Sequence, residues 1–287
     1  SHPDETRVVL KSEKHIEEYE YENKNRLYLK NNIYLGKVTR IEPSLQAAFI
    51  NYGKQRHGFL AFNDIQSDYY QIPSDDKEKL KNVEEKIRED LKNTNLEEVN
   101  NNQETSNNGE KSENIDDQNK NSNNTPTDNK SNYREKLKNT YGVKKYRIQE
   151  VIKPGQVILI QVLKEERGQK GAALTTFISL AGKYIVLMPN TAKGGGISRK
   201  IFNPSDRSKI RKILSEIEIP KSMGVIIRTA GANKTKNEIE KDFENTLVMW
   251  NDIKSKAFES NAPSLIYEEG DIIKRALRDI YDNDTKN

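Results

Sequence analysis

The chain has 287 residues, of which 33% are hydrophobic and 32% charged, and this apolar fraction is too low for a chain packed into a core throughout. Its net charge of +4 is the sum of two opposite stretches: residues 63–132 hold 17 acidic and 9 basic side chains, and residues 144–230 hold 17 basic and 6 acidic. The basic stretch is as expected of a protein that binds nucleic acid. The lack of cysteine excludes disulfides and thiolate metal sites, and the lack of a long apolar run or a signal-peptide pattern predicts a soluble, cytoplasmic protein without a membrane segment.

The first predicted elements are three strands, at 32–40, 46–52 and 56–62. Each run is rich in β-branched and aromatic residues, and a Pro-Ser pair and a Gly-Lys pair separate the runs as turns. This pattern is typical of an antiparallel meander, as in a small β-barrel.

Basic side chains and aromatic rings are interleaved along these strands. A barrel that carries rings in a positive field binds single-stranded nucleic acid by stacking and by attraction of phosphates. The alternative is that each ring simply fills the barrel core. The residues concerned are the basic Lys37, Arg40, Lys54, Arg56 and His57 and the aromatic Tyr34, Phe49, Tyr52 and Phe59.

A polar, acidic tract then interrupts the predicted barrel. Residues 93–132 are mostly Asn, Ser, Thr, Asp, Glu, Gln and Lys, and cannot bury enough apolar surface to offset the entropy lost on ordering. Residues 75–91 before the tract have the apolar spacing of a short charged helix. Two further strands, at 156–163 and 171–178, complete a five-stranded barrel. We therefore expect a largely disordered insertion within one barrel loop.

A mixed α/β region follows the barrel. A capping box of Thr235 and Glu238 marks the start of its long helix. The predicted elements are, in order, a strand at 183–188, a helix with Ser205 or Asp206 as N-cap, a buried strand at 224–229, a helix from 235 to about 259, a strand at 265–267 and a helix at 272–281.

No residue pattern in this sequence indicates a catalytic centre. The HExxH, GxSxG and phosphate-loop spacings are missing, and the three histidines are scattered. The acidic residues lie in the polar tract, on helix surfaces or at turns, not in apolar strands where they could hold two metal ions. The residues alone therefore predict a binding protein.

Two groups of polar residues are candidates for phosphate binding. A buried strand is predicted to end in Arg228 and Thr229, whose guanidinium and hydroxyl can donate together to a terminal phosphate. The alternative is an exposed arginine paired with a nearby carboxylate such as Asp242. Arg199 and Lys200 follow a glycine-rich loop and form either a basic turn that contacts an RNA backbone or an ordinary surface loop.

Four segments of this chain closely resemble the amino-terminal catalytic half of the ribonuclease E/G family. They are GKVTRIEPSLQAAFINYGKQRHGFL, KEERGQKGAALTTFISLAGKYIVLMPN, GGISRK and GVIIRTAG. The resemblance covers nearly everything outside the insertion. It implies a fragment of an endoribonuclease that cleaves single-stranded RNA in RNA processing and mRNA decay.

The resemblance also implies an α+β fold in three parts. These are a five-stranded OB-fold barrel of the S1 type, a mixed α/β 5′-sensor subdomain, and remnants of a split ribonuclease H-like subdomain. The implied boundaries are 1–28 and 274–287 for the remnants, 29–62 and 148–176 for the barrel, 63–147 for the acidic, Asn-rich insertion and 177–273 for the 5′ sensor.

The resemblance also implies roles for individual residues. For Arg228 it favours phosphate binding over a surface ion pair. The residues that match positions binding single-stranded RNA are Phe49, Phe59 and Lys170, with Lys37 and Arg56 as further barrel candidates. Those that match the 5′-monophosphate site are Arg228 and Thr229, with Gly182 and Val186 near the terminal nucleotide.

Catalytic residues and metal ligands are expected beyond the C-terminus of this chain, so the fragment alone is predicted to be inactive and to need no cofactor. The parent is expected to use Mg²⁺ and Zn²⁺, to form a homo-oligomer (a tetramer) and to join an RNA-degrading complex. The expected partner of the fragment is single-stranded RNA with a 5′-monophosphate. Two alternatives remain open: a non-catalytic S1-type RNA-binding module of a translation- or ribosome-associated factor, and an interaction platform whose Asn-rich loop recruits proteins.

Overall fold

The computed structural model describes most of the chain outside the acidic tract. The described residues are 4–12, 15–23, 29–78, 82, 146–165, 171–191, 196–220, 222–279 and 281. The chain divides into two compact units, Ser1–Gln71 with Ile148–Asn287, and Ile72–Arg147.

Little of the second unit is described. Residues 74–78 form a helical turn, and Tyr146 Oη donates a hydrogen bond to Asp76 Oδ2 at 2.8 Å. Most of the helix predicted at 75–91, and the whole of the tract predicted to be disordered, lie outside the described residues. The domain boundaries implied by the family resemblance therefore remain a prediction.

The elements of the first unit, over its described residues, are twelve strands and four helices. The strands are β1 (Glu5–Lys11), β2 (Ile16–Asn23), β3 (Ile33–Glu42), β4 (Ala47–Asn51), β5 (Gly58–Ala61), β6 (Val157–Lys164), β7 (Ala173–Thr175), β8 (Leu180–Ala181), β9 (Ile185–Met188), β10 (Gly196–Ile197), β11 (Gly224–Ile227) and β12 (Ser264–Tyr267). The helices are α1 (Ile148–Val151), α2 (Pro204–Glu216), α3 (Lys236–Glu259) and α4 (Ile272–Asp279).

Five strands close into a barrel in the order β3-β4-β5-β7-β6, because β6 pairs back with β3. All neighbouring pairs are antiparallel except β5 and β7, which are parallel. The predicted fold class, mixed α+β with a five-stranded OB-type barrel, is confirmed. The side chains that fill the barrel interior are almost fully buried and include Ile50, Leu60, Ile158, Ile160 and Leu174.

A second sheet has the order β10-β11-β9-β8. In it, β11 is antiparallel to β9 and parallel to β10. Helix α3 packs Ile239 and Phe243 into the core of this sheet, and Ile33 and Leu35 of β3 belong to the same core. The barrel and the second sheet therefore share one hydrophobic core, which fixes their relative position.

The hydrogen bonds at the N-termini of α3 and α2 determine where these helices begin. The predicted capping box of α3 is confirmed: Glu238 N donates to Thr235 Oγ1, and Thr235 N donates to Glu238 Oε2. The predicted N-cap of α2 is wrong, since Asn203 Oδ1 accepts the hydrogen bond of Ser205 N at 3.1 Å. Pro204 lacks an N–H and has a helical φ, so it occupies the first helical position and moves the cap upstream.

The strands β1 and β2 form an antiparallel hairpin that the sequence analysis did not predict. Their side chains are mostly exposed, and alternating Glu and Tyr in β2 lack the apolar period that marks a half-buried strand. Helix α4 is tied to this hairpin, because Ile272 N donates to Glu22 Oε2 at 2.8 Å and Arg275 pairs with the same carboxylate.

Candidate nucleic-acid interface

A row of neighbouring residues crosses the outer face of the barrel, one from each strand. In the strand registers, Arg40 lies opposite Phe49, and Phe49 lies opposite Phe59. The row continues from Phe59 to Ala173 and from Ala173 to Lys164. Directly paired residues project from the same face of a sheet. The row, which we call the aromatic row, therefore has two rings at its centre and a basic residue at each end.

The two rings lie on the outer face because their neighbours in sequence fill the interior. Ile50 and Leu60 are fully buried, whereas Phe49 and Phe59 are only half-buried. The ring centroids are 6.1 Å apart with an interplanar angle of 75°, an edge-to-face contact. The guanidinium carbon of Arg40 lies 4.6 Å from the centroid of Phe49. Part of each ring surface therefore remains exposed beside a cation.

His57 and Thr39 border the aromatic row. Thr39 Oγ1 donates to the carbonyl of Phe49 at 2.9 Å and lies 3.2 Å from His57 Nδ1. Because the single hydroxyl proton goes to the carbonyl, His57 Nδ1 must donate in this contact. Thr39 was not among the residues predicted from the sequence, and a β-bulge between Val38 and Arg40 exposes it next to Arg40.

The other barrel candidates differ in position. Lys37 is exposed on β3, and Arg56 is exposed in the loop between β4 and β5. Lys170 lies outside the described residues. Tyr34 and Tyr52, which the sequence placed among the interleaved rings, are 2% and 3% exposed and pack edge to face in the interior. For these two rings the core interpretation is correct.

Arg228 lies at one end of the second sheet, directly after β11. Its backbone N donates to the carbonyl of Tyr184 at 2.8 Å, and its Nη1 donates to Gly182 O at 2.8 Å and to Asp279 Oδ1 at 2.6 Å. Val186 lies two residues beyond Tyr184 and so on the same face of the sheet. The structure thus brings Gly182 and Arg228 into direct contact, and the ion-pair partner of Arg228 is Asp279, not the predicted alternative Asp242.

Asp242, on α3, binds the turn that precedes β9. Its carboxylate accepts hydrogen bonds from the backbone N of Lys183 at 3.1 Å, of Tyr184 at 2.8 Å and of Ile185 at 3.1 Å. A Cβ at Gly182 would lie 2.5 Å from Asp242 Oδ2, so the close approach of this carboxylate requires glycine there. Asp242 therefore fixes the turn whose carbonyl Arg228 contacts.

Only one of the three guanidinium nitrogens of Arg228 is engaged within the described part of the chain. Nη1 makes both side-chain hydrogen bonds, and Nε and Nη2 make none to a described residue. The side chain is 27% exposed. The neighbouring Thr229 hydroxyl is also exposed and has no hydrogen-bond partner among the described residues. The Nε and Nη2 groups of Arg228 form an edge with two donors, and together with the Thr229 hydroxyl they suit a terminal phosphate.

The basic residues Arg199 and Lys200 belong to the same end of this sheet. Strands β10 and β11 run parallel, so both chains leave the sheet at the same end. Arg228 follows β11 there, and the exposed Arg199 and Lys200 follow β10. Ser198 N donates to Ile227 O at 2.9 Å and joins the two exits.

Asp279 is the last residue of helix α4, and its carboxylate lies between the guanidinium groups of Arg228 and Arg278. Arg278 donates to both of its oxygens at 2.9 Å, and Arg228 donates to Oδ1. Burial alone would raise the pKa of Asp279, but these hydrogen bonds outweigh it and lower that pKa. Burial would lower the pKa of Arg278, and its contacts with Asp279 and buried Glu269 outweigh that effect and raise it.

The lowered pKa of Asp279 predicts a pH-dependent stability. Ionised Asp279 stabilises the fold above its ordinary pKa of 3.8, and this contribution is lost as pH falls through the lower folded-state value. We expect Asp279→Asn to be less stable than wild type by a constant amount from about pH 5 to about pH 7, and the difference to shrink below about pH 4. Urea unfolding across this range measures it, with the exposed Asp252→Asn as control. A difference that persists undiminished at about pH 2.5 would contradict the ionised contact.

Among the described residues, no group of three or more His, Cys, Asp or Glu side chains is arranged to hold a metal ion. No helix in that part of the chain is both long and apolar enough to cross a bilayer. The acidic side chains at the Arg228 site, Asp242 and Asp279, accept hydrogen bonds from amide and guanidinium groups.

Comparison with known proteins identifies the class of protein to which this chain belongs. Residues 179–287 match the model of the ribonuclease E/G family. Over 276 residues, 96% of this chain, the sequence is 35% identical to ribonuclease E of Escherichia coli (strain K12), of which it covers 20%. The corresponding values are 35% and 22% for ribonuclease E of Buchnera aphidicola subsp. Schizaphis graminum, and 34% and 22% for that of Haemophilus influenzae.

The chain belongs to the ribonuclease E/G family. The alignments extend over nearly the whole chain, so the barrel and the second sheet are both included. The chain spans about a fifth of the length of these relatives.

Proposed function

We propose that this chain binds single-stranded RNA and recognises its 5′-monophosphate, as part of an endoribonuclease that acts in RNA processing and mRNA decay. The observation that carries the proposal is the hydrogen bonding of the Arg228 guanidinium. One of its nitrogens is held by Gly182 and Asp279, and within the described residues the other two are left for a ligand beside the Thr229 hydroxyl. A terminal phosphate can accept several charge-assisted hydrogen bonds from such an edge, whereas a 5′-hydroxyl carries no charge to pair.

The barrel supplies the part of binding that does not depend on the 5′ end. Bases stack on Phe49 and Phe59, and Arg40 and Lys164 attract the phosphates on either side. This assignment is supported by the aromatic row, in which rings and basic residues are direct neighbours in the strand registers.

Other basic residues contribute to the positive field around the RNA. Lys37, Arg56 and Lys170 are proposed to act at the barrel. Arg199 and Lys200 are proposed to contact the backbone near the 5′ end, because they leave the second sheet at the same end as Arg228. Gly182 and Val186 are proposed to line the site of the terminal nucleotide.

Several properties are proposed for the longer protein alone, because this chain spans about a fifth of the relatives' length. They are Mg²⁺-dependent cleavage of RNA, bound Zn²⁺, assembly into a homo-tetramer, membership of an RNA-degrading complex and a cytoplasmic location. We assign cleavage and metal binding to no residue of this chain, and propose that the chain alone is inactive.

The proposal is tested by the affinity of the chain for one short RNA sequence carrying a 5′-monophosphate, a 5′-hydroxyl or a 5′-triphosphate. We expect the monophosphate to bind about 10- to 100-fold more tightly than the hydroxyl, because hydrogen bonds to charged groups contribute ~1.5–3 kcal/mol. The triphosphate should also bind less tightly than the monophosphate. Equal affinity for all three would favour a non-catalytic RNA-binding module, and no binding to any would overturn the RNA assignment.

Phe49→Ala should weaken binding of all three RNAs alike, by about 1–3 kcal/mol, since the base would lose its stacking partner. Fluorescence anisotropy at fixed salt measures the effect. Phe258→Ala is the matched control, because this ring at the end of α3 is 89% exposed and lies outside the barrel. A folded Phe49→Ala protein with wild-type affinity would remove Phe49 from the RNA interface.

A further inference from the structure

Asp279 shares the Nη1 of Arg228 with Gly182. This nitrogen carries two hydrogens, one donated to Gly182 O at 2.8 Å and the other to Asp279 Oδ1 at 2.6 Å. The guanidinium is planar and rigid, so fixing both hydrogens of one nitrogen also fixes the directions of Nε and Nη2. The orientation of the two donors that remain for a ligand therefore depends on Asp279.

Asp279 is itself held in place. Arg278 donates through Nε to Oδ1 and through Nη2 to Oδ2, which is a bidentate pair. Arg278 in turn donates through Nη1 to the buried carboxylate of Glu269. The carboxylate of Asp279 therefore has a single orientation, and it transmits that orientation to Arg228.

The formal charges of this network cancel. Arg228 and Arg278 are positive, and Asp279 and Glu269 are negative. On charge alone, removing Asp279 would leave the site more positive and strengthen the binding of a phosphate. If Asp279 acts by orienting Arg228, its removal must instead weaken that binding, because the two donors lose their preset direction.

We propose that Asp279 is a positioning residue of the 5′-phosphate site, which presets the Nε and Nη2 edge of Arg228 for a terminal phosphate. The inference rests on the proposed function above. Through Asp279, the end of α4 contributes to the preference for RNA with a 5′-phosphate over RNA without one.

The test compares wild type, Asp279→Ala and Asp279→Asn for binding to RNA with a 5′-monophosphate or a 5′-hydroxyl. Asp279→Ala should reduce the preference for the monophosphate about tenfold and leave the affinity for the hydroxyl unchanged. Asp279→Asn keeps an oxygen acceptor for Arg228 and should retain most of the preference. Asp252→Ala, which removes an exposed carboxylate from α3, is the control for charge and should behave as wild type.

A second variant distinguishes a loss of positioning from a loss of folding in Asp279→Ala. Asp279→Glu keeps the charge but moves the carboxylate outward by one methylene, so it should also lower the preference. An unchanged or increased preference in a folded Asp279→Ala or Asp279→Glu protein would overturn the positioning role. A wild type that shows no preference would overturn the proposed 5′-phosphate site and this inference with it.

The orientation of Arg228 can be measured without RNA. With both hydrogens of Nη1 bonded, rotation of the guanidinium is restricted, and we expect separate ¹H–¹⁵N signals from Nη1 and Nη2 of Arg228 in wild type and Asp279→Asn. In Asp279→Ala these signals should merge. Signals that are already merged in wild type would overturn the positioning role, while leaving the 5′-phosphate site to be judged by the binding data.

Discussion

Asp242→Ala is expected to lower the free energy of unfolding by about 3–5 kcal/mol, because three backbone N–H groups lose their acceptor at once. Each unsatisfied buried donor costs about 1–3 kcal/mol, and partial access of water to this half-buried turn reduces the sum. Urea denaturation monitored by circular dichroism measures the loss. Asp242→Asn should be intermediate, since one amide oxygen replaces two carboxylate oxygens.

The same substitution should also affect RNA recognition. Asp242 fixes the turn that carries the Gly182 carbonyl, and this carbonyl is one of the two acceptors of Arg228 Nη1. We expect Asp242→Ala to lose most of the monophosphate preference and to retain binding by the barrel. Asp252→Ala, on the exposed side of the same helix, is the control and should change stability by less than about 0.5 kcal/mol. A loss of under about 1 kcal/mol for Asp242→Ala, with the preference intact, would contradict the role of the turn.

Arg228→Lys is expected to remove most of the monophosphate preference, about tenfold or more, although it keeps the positive charge. A lysine ammonium is a single donor centre, and it cannot satisfy Gly182 and Asp279 while also presenting a two-donor edge to a phosphate. The ratio of affinities for the monophosphate and hydroxyl RNAs measures the effect. Arg211→Lys, at an exposed position of α2, is the matched control. Retention of the full preference by Arg228→Lys would show that charge alone is recognised.

The barrel was predictable because its signals are local. Alternation places Ile50 and Leu60 inside and Phe49 and Phe59 outside, and turn residues separate the strands. Local signals do not decide the role of a single ring. Tyr34 is as aromatic as Phe49, and only closure of the barrel shows that Tyr34 is interior.

The partner of Arg228 was not predictable, because it is set by tertiary packing. Arg228 and Asp279 are 51 residues apart in sequence and meet only because the C-terminal end of α4 reaches the end of the second sheet. Asp242 is closer in sequence and is also an aspartate, but its helix directs it to the backbone of the turn before β9. Likewise, the bulge that exposes Thr39 depends on the register between β3 and β4.

The assignment of Arg228 as the 5′-monophosphate ligand is tested most directly by a thermodynamic cycle. Four dissociation constants are needed: wild type and Arg228→Ala, each with RNA carrying a 5′-monophosphate or a 5′-hydroxyl. We predict a coupling energy of about 1.5–3 kcal/mol between the side chain and the phosphate, with nearly equal affinities of both proteins for the hydroxyl RNA. A coupling energy near zero, with the phosphate preference either missing from wild type or preserved in Arg228→Ala, would contradict the assignment.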